Sequence, residues 1–133
     1  MIIDSSAAVA IATREPASEA CMTSLHQASV RRMSAANMLE TSIVLSRVND
    51  DVFSALFDEL LEVMNVTIEP VTLEQAQIAR EAHQRYGRGS RHRAHLNFGD
   101  CFAYALARVY DEPLLFVGDD FIHTDLRSAL SPG

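Results

Sequence analysis

Two kinds of apolar pattern alternate along the chain, and their alternation predicts its architecture. Met1 to Ile3 and Leu114 to Val117 are short continuous apolar runs, the form of strands buried on both faces. Each runs into carboxylates, Asp4 in the first case and Asp119 and Asp120 in the second. Arg32 to Ala35 and Val66 to Glu69 read as weaker strands. Helical spacing governs Ser5 to Thr13, Pro16 to Gln27, Ala36 to Arg47, Asp50 to Met64, Leu73 to Tyr86 and Asp100 to Tyr110. Proline opens the second of these and acids open the fourth, both of them N-terminal signals. Such alternation predicts an α/β sandwich on a mostly parallel central sheet, with ligands gathering outside the strand C-termini. Gly87 to Phe98 has no apolar periodicity and is expected to be one long functional or mobile loop. The Asp50 to Met64 helix carries two apolar stripes, Val52, Ala55, Leu56 and Val63 beside Phe53, Phe57, Leu60, Leu61 and Met64. That face is wider than the roughly 100° stripe of an ordinary surface helix, so either the helix is deeply packed or part of the face receives a protein partner, the second being the preferred reading.

Length and composition narrow the class. The 133 residues suit one domain, and 48% hydrophobic with 22% charged residues is the balance of a packed protein. The apolar run Ala7 to Ala12 is far short of a membrane span, and the N-terminus has an acid where a signal peptide has its apolar core. Cys21 and Cys101 form no CxxC pair, which fits a reducing compartment and a cytoplasmic protein. All 11 basic residues are arginine, against 18 acids. The absence of lysine excludes a Walker-A loop and Schiff-base chemistry. A net charge of −7 argues against non-specific coating of nucleic acid.

The chemistry rests on carboxylates. Glu40 lies within the apolar segment Ala36 to Val44, next to Ala36, Ile43 and Val44 at helical spacing. On an apolar face it must be paired, protonated or bound to a metal; a salt bridge to arginine, or a place at the rim of that face, is the plain alternative. Asp100 opens a helix and Asp4 precedes one, so each has a capping reading beside a functional one. Asp119 and Asp120 follow Gly118 in a turn, where aspartates serve local structure. Jointly, two strand ends, a helix start and one helix face meet at one edge of an α/β sheet. Converging carboxylates need a cation, and Mg²⁺ or Mn²⁺ suits hard oxygen donors and phosphodiester hydrolysis.

Other constellations are weaker. His83, His92, His95 and Cys101 match no common zinc spacing, and Cys101 reads as a small buried helix residue. Gly87-Arg88-Gly89 follows a helix, not a strand, and is no dinucleotide loop. Arg80, Arg85, Arg88, Arg91 and Arg93 cluster in one stretch ahead of Asp100. A solvated loop explains them, but Arg88, Arg91 and Arg93 are the candidates for contact with the phosphates of a phosphodiester substrate, with Tyr86 for base stacking.

Four segments together carry a family resemblance: Met1-Ile2-Ile3-Asp4-Ser5-Ser6-Ala7; Ser34-Ala35-Ala36-Asn37-Met38-Leu39-Glu40; Leu96-Asn97-Phe98-Gly99-Asp100-Cys101-Phe102-Ala103; and Leu114 through Phe121 followed by Thr124-Asp125-Leu126. In order and spacing the chain resembles PIN-domain proteins of the VapC type, toxins of bacterial toxin–antitoxin pairs. The resemblance implies a three-layer α/β/α sandwich and a Mg²⁺- or Mn²⁺-dependent ribonuclease restrained by a VapB-like antitoxin; the antitoxin, a second copy in a homodimer, or both are the expected partners of the Asp50 to Met64 helix. It implies Asp4 and Asp100 as principal metal ligands, Glu40 completing the cluster and Asp119 or Asp120 as the fourth acid, Asp120 fitting the spacing better. Ser5 would orient water or support a ligand, or simply cap the helix. Set against this are a catalytically inert PIN-like binding module and an aspartyl-nucleophile phosphatase. The phosphatase is disfavoured because its strand-end Asp-x-Asp is Asp4-Ser5-Ser6 here.

Overall fold

The computed structural model describes residues 1–48 and 51–130. Four short strands, β1 (Ile2–Ile3), β2 (Arg32–Ser34), β3 (Thr67–Glu69) and β4 (Leu114–Leu115), form one sheet in the order β3-β2-β1-β4. Every pairing is parallel, with Ile2 opposite both Arg32 and Leu114, and Met33 opposite Ile68. The chain builds outward from β1 through β2 to β3, then returns to place β4 on the other side of β1. The sheet's topological switch point therefore lies between β1 and β4, where α/β folds bind ligands.

Alternation within β1 divides the core. Ile2 and Leu114 belong to a cluster with Leu96, Tyr104, Leu106 and Phe121, whereas Ile3 and Leu115 face Leu25, Met33, Leu45 and Phe57. Two apolar faces require two helical layers. α5 (Leu73–Tyr86) and α6 (Phe98–Tyr110) supply one; α1 (Ser5–Ala12), α2 (Ser18–Gln27), α3 (Ala35–Arg47) and α4 (Asp51–Val63) contribute to the other. The expected three-layer α/β/α sandwich is the fold observed.

Side-chain caps set several boundaries. Asp4, Ser34 and Thr72 accept hydrogen bonds from the first-turn amides of α1, α3 and α5. α6 begins at Phe98 and not at Asp100, because Asn97 is its N-cap and Asp100 closes a capping box three residues on. Pro16 lies in the turn before α2 and not in its first turn, and β4 ends at Leu115. Of the predicted Asp50 to Met64 helix, Asp50 lies outside the described residues. Phe57, Leu60 and Met64 are buried, so the second stripe packs inward, while Ala55 and Val63 of the first face outward.

The arginine-rich segment is anchored, not loose. Leu96 N–H donates to Tyr86 O at 2.9 Å and Arg88 N–H to Leu96 O at 3.1 Å, and Ala94 and Leu96 are buried. Tyr86 is itself a core residue, packed edge-on to His92 at 4.8 Å, and so is not free to stack on a base. A further parallel contact, invisible in the pattern, lies at the chain's end. Leu114 N–H donates to Arg127 O and Ala129 N–H to Leu114 O, laying 127–129 beside β4.

Candidate active site

Asp4 leaves the end of β1 and turns immediately into α1. Its Oδ2 accepts from Ser6 N at 3.0 Å and from Ser6 Oγ at 2.6 Å, and Ser6 Oγ accepts in turn from Val117 N at 3.0 Å. The cap thus locks α1 to the segment after β4. Asp4 Oδ1 is buried and has no partner among the described residues. An unpaired buried carboxylate oxygen is costly, and capping uses only the other oxygen. Burial, aided by the charge of Glu40, pushes Asp4 up to about 6 despite the lowering effect of the Ser6 bonds.

Asp100 repeats the arrangement from α6. Its Oδ2 accepts from Asn97 N at 3.0 Å while Asn97 Oδ1 accepts from Asp100 N at 2.9 Å. Burial pushes its carboxyl up to about 7; the Asn97 bond opposes this, and the charges of Asp4 and Asp120 with a hydrogen bond to Asp120 add to it. The capping and functional readings therefore do not compete in either residue.

Glu40 stands on the rim of α3, not on its buried face. That face is Asn37, Thr41 and Leu45, and Ile43 is exposed. Among the described residues no arginine pairs with Glu40: its Oε1 accepts from Ser5 Oγ at 2.5 Å and from Asn37 Nδ2 at 3.3 Å. Ser5 consequently holds Glu40 and leaves the capping of α1 to Asp4. Asn37, fully buried, also donates to Gly99 O at 3.0 Å and ties α3 to the start of α6. At Gly99 a Cβ would come within 2.0 Å of Glu40 Oε2, so glycine is what lets α6 approach the carboxylate. Neither Asn37 nor Gly99 stood out in the sequence. The signal for Asn37 was its spacing three residues before Glu40, which puts both on one side of a helix.

After β4, Gly118 takes φ +94°, a conformation that favours glycine, and the turn delivers Asp120 to the cleft. Asp4, Ser5, Glu40, Asn97, Asp100 and Asp120 border a single cavity of about 360 Å³ at the switch point, together with Glu15, an acid that the sequence reading did not single out. Asp119 is exposed and does not line it. Among the described residues, no three acidic, histidine or cysteine side chains form a ready-made metal cage. The carboxylates ring the cavity instead of closing on a point. Their donor set is all hard oxygen, and the orphaned Asp4 Oδ1 is an atom a divalent cation would satisfy, so the residues fit Mg²⁺ or Mn²⁺. Cys101 is buried in α6, as its apolar setting predicted.

An α/β/α sandwich with carboxylates collected at the β1/β4 switch point defines a class, and the PIN domain pattern matches residues 1–126. The chain belongs to the PIN-domain family, among its VapC ribonucleases. It is 50% identical over 130 residues to ribonuclease VapC28 of Mycobacterium tuberculosis, covering 98% of each chain. Ribonuclease VapC42 of the same organism is 45% identical over 129 residues, covering 97% of this chain and 98% of the relative. The crystal structure of M. tuberculosis VapC20, a toxin cleaving the sarcin–ricin loop, superposes with a TM-score of 0.73 over 95% of this chain and 98% of that one. At 18% identity that likeness concerns the fold. Among the described residues no helix is long and apolar enough to cross a membrane.

Proposed function

We propose that this protein is a Mg²⁺- or Mn²⁺-dependent endoribonuclease, the toxin of a toxin–antitoxin pair acting in the cytoplasm, which hydrolyses RNA phosphodiester bonds at the acidic cavity. The observation that carries the reading is the set of carboxylates around one cavity, Asp4, Glu40, Asp100 and Asp120 with Glu15 beside them, in which Asp4 Oδ1 is buried with no partner among the described residues. Relatives named ribonucleases at 45–50% identity over nearly the whole chain support the same activity.

In this reading Asp4 and Asp100 hold the ion, with Glu40 and Asp120 completing its surroundings. The ion supplies charge neutralisation at the scissile phosphate and activation of water at neutral pH. The chain's own contribution is placement. Ser6 and Asn97 each hold one oxygen of their aspartate, Asp4 Oδ2 and Asp100 Oδ2. Ser5 and Asn37 hold Glu40 against the start of α6. Arg88, Arg91 and Arg93 are exposed, form no ion pair among the described residues, and sit on the segment leading into Asn97. They are the proposed contacts for RNA phosphates. A basic VapB-like antitoxin would be drawn to the acidic protein, with the outer stripe of α4 as its docking face, and a second copy of the chain is the other proposed partner. The inert-module alternative, in which the acids only cap helices, does not account for Asp4 Oδ1.

The deciding experiment is incubation of purified protein with total RNA in Mg²⁺, Mn²⁺ or EDTA. Cleavage with either ion that EDTA abolishes is expected; intact RNA in all three would overturn the proposal.

A further inference from the structure

Only part of the acidic cavity is acidic. Three valines line it as well, each tied to the residues already described. Val9 lies one turn after Ser5 on α1, Val44 one turn after Glu40 on α3, and Val117 follows β4, its amide donating to Ser6 Oγ at 3.0 Å. All three are half-buried, so their branched side chains form an apolar wall that a ligand can still reach. Glu15 completes the lining. Its backbone is fixed, because α1 ends in a Schellman motif: Arg14 takes φ +55° and donates its N–H to Ile11 O at 3.3 Å, and Glu15 N–H donates to Ala10 O at 2.9 Å. The Glu15 side chain is exposed and enters no ion pair among the described residues. The cavity is also larger than an ion requires, since about five coordinated waters at roughly 30 Å³ each fill less than half of its 360 Å³.

A nucleobase is the part of an RNA chain that such a compartment suits. Its faces pack on apolar side chains and its edge carries the hydrogen-bonding groups. A carboxylate accepts hydrogen bonds and does not donate them, so Glu15 would discriminate among base edges. On the Watson–Crick edge guanine alone offers two neighbouring donors, N1–H and the N2 amino group, which can meet both oxygens of one carboxylate. Adenine, cytosine and uracil each set an acceptor beside their donor, and an acceptor facing a carboxylate is repelled. We propose that the valine-walled part of the cavity is a base-reading subsite, in which Val9, Val44 and Val117 pack against a guanine next to the scissile phosphate and Glu15 accepts from its Watson–Crick edge. The subsite rests on the reading of this cavity as the place where RNA is cut, and gives that reaction a sequence preference. Glu15 is then a specificity residue and takes no part in breaking the bond.

Binding of single nucleotides tests the subsite without any cleavage. Titrations of the full chain in Mg²⁺, followed by the methyl resonances of Val9, Val44 and Val117, should show guanosine monophosphate binding about tenfold more tightly than adenosine, cytidine or uridine monophosphate. Inosine monophosphate, which lacks only the N2 amino group, should fall between them. Glu15→Gln sets a donor beside an acceptor, the pairing glutamine makes with adenine, and should move the preference from guanine to adenine with an unchanged circular dichroism spectrum. Equal binding of the four nucleotides by wild type overturns the proposal. So does a Glu15→Gln protein that binds all of them more tightly or more weakly by one common factor, which is the mark of a charge and not of an edge read by hydrogen bonds. Sequencing the ends of cleaved total RNA adds a second readout: guanine should flank the wild-type cuts and adenine those of the variant, and cuts indifferent to both would overturn the subsite. A guanosine monophosphate preference that moves with Glu15→Gln while RNA stays intact in every ion would support the base-reading pocket and remove only the nuclease reading.

Discussion

At the scale of single residues, the division of labour within each aspartate decides what substitutions should do. Asp100→Asn keeps an oxygen for Asn97 N–H and so keeps the capping box, but removes the charge that would hold a cation. Its expected outcome is a native circular dichroism spectrum with metal-dependent RNA cleavage gone. Cleavage at the wild-type rate would remove Asp100 from the site. Asp4→Asn follows the same logic with a second readout. Asparagine caps a helix as well as aspartate does, so α1 should not suffer, and the buried charge is relieved. In EDTA at pH 7.5 this variant should melt at or above the wild-type temperature, yet gain less from added Mn²⁺. A capping role alone would leave both proteins indifferent to the ion.

Between elements, the contact that matters is the one α3 makes with the start of α6. Gly99→Ala would drive a Cβ into the Glu40 carboxylate, the mobile end of a long side chain, which can swing aside. Stability should therefore change by no more than about 1 kcal/mol. Glu40 would, however, lose its bonds to Ser5 and Asn37, and cleavage should fall well beyond what the stability change explains. Thermal melts set beside cleavage rates check this, and unchanged cleavage would show that Glu40 need not be held. The elements themselves were legible because strands buried on both faces and helices with a buried stripe leave different periods in a sequence. Asp4 and Asp100, one at a strand end and one at a helix start, each read equally well as a cap, and only their joint placement at one sheet edge pointed to the cavity they line. The choice between Asp119 and Asp120 was not, since neighbouring residues of a turn are separated only by the backbone path that Gly118 sets. Tyr86 misled because its place beside arginines outweighed its register. It falls on the buried face of α5 with Gln75, Ala79 and Ala82, a spacing visible beforehand. The anchoring of 87–96 depends on Ala94 and Leu96, two apolar residues in a polar stretch with no period to announce them.

For the molecule as a whole, the site should make stability depend on pH and on metal in opposite senses. Asp4 and Asp100 are pushed up to about 6 and about 7 from an ordinary 3.8, chiefly by burial, so between those values the folded protein binds more protons than the unfolded chain. Stability then falls as pH rises: the full contribution is present below about pH 4 and is lost as pH climbs through 6 and 7. Asp4 alone accounts for about 3 kcal/mol on this basis, enough to lower the melting temperature by several degrees. In EDTA these two groups should make the protein melt higher at pH 5 than at pH 7.5. A divalent ion held as proposed would act against this trend, because it would bind the deprotonated carboxylates of the folded state and compete with their protons. At a hundredfold excess over its dissociation constant it should add about 2.7 kcal/mol. That gain should be large at pH 7.5 and small at pH 5, narrowing or reversing the difference seen in EDTA. Melting curves at the two pH values, each with EDTA and with Mn²⁺, separate the cases. Equal Mn²⁺ responses at both pH values would place the ion away from Asp4 and Asp100, and no response at either would leave the ring of carboxylates without the cation it is proposed to hold.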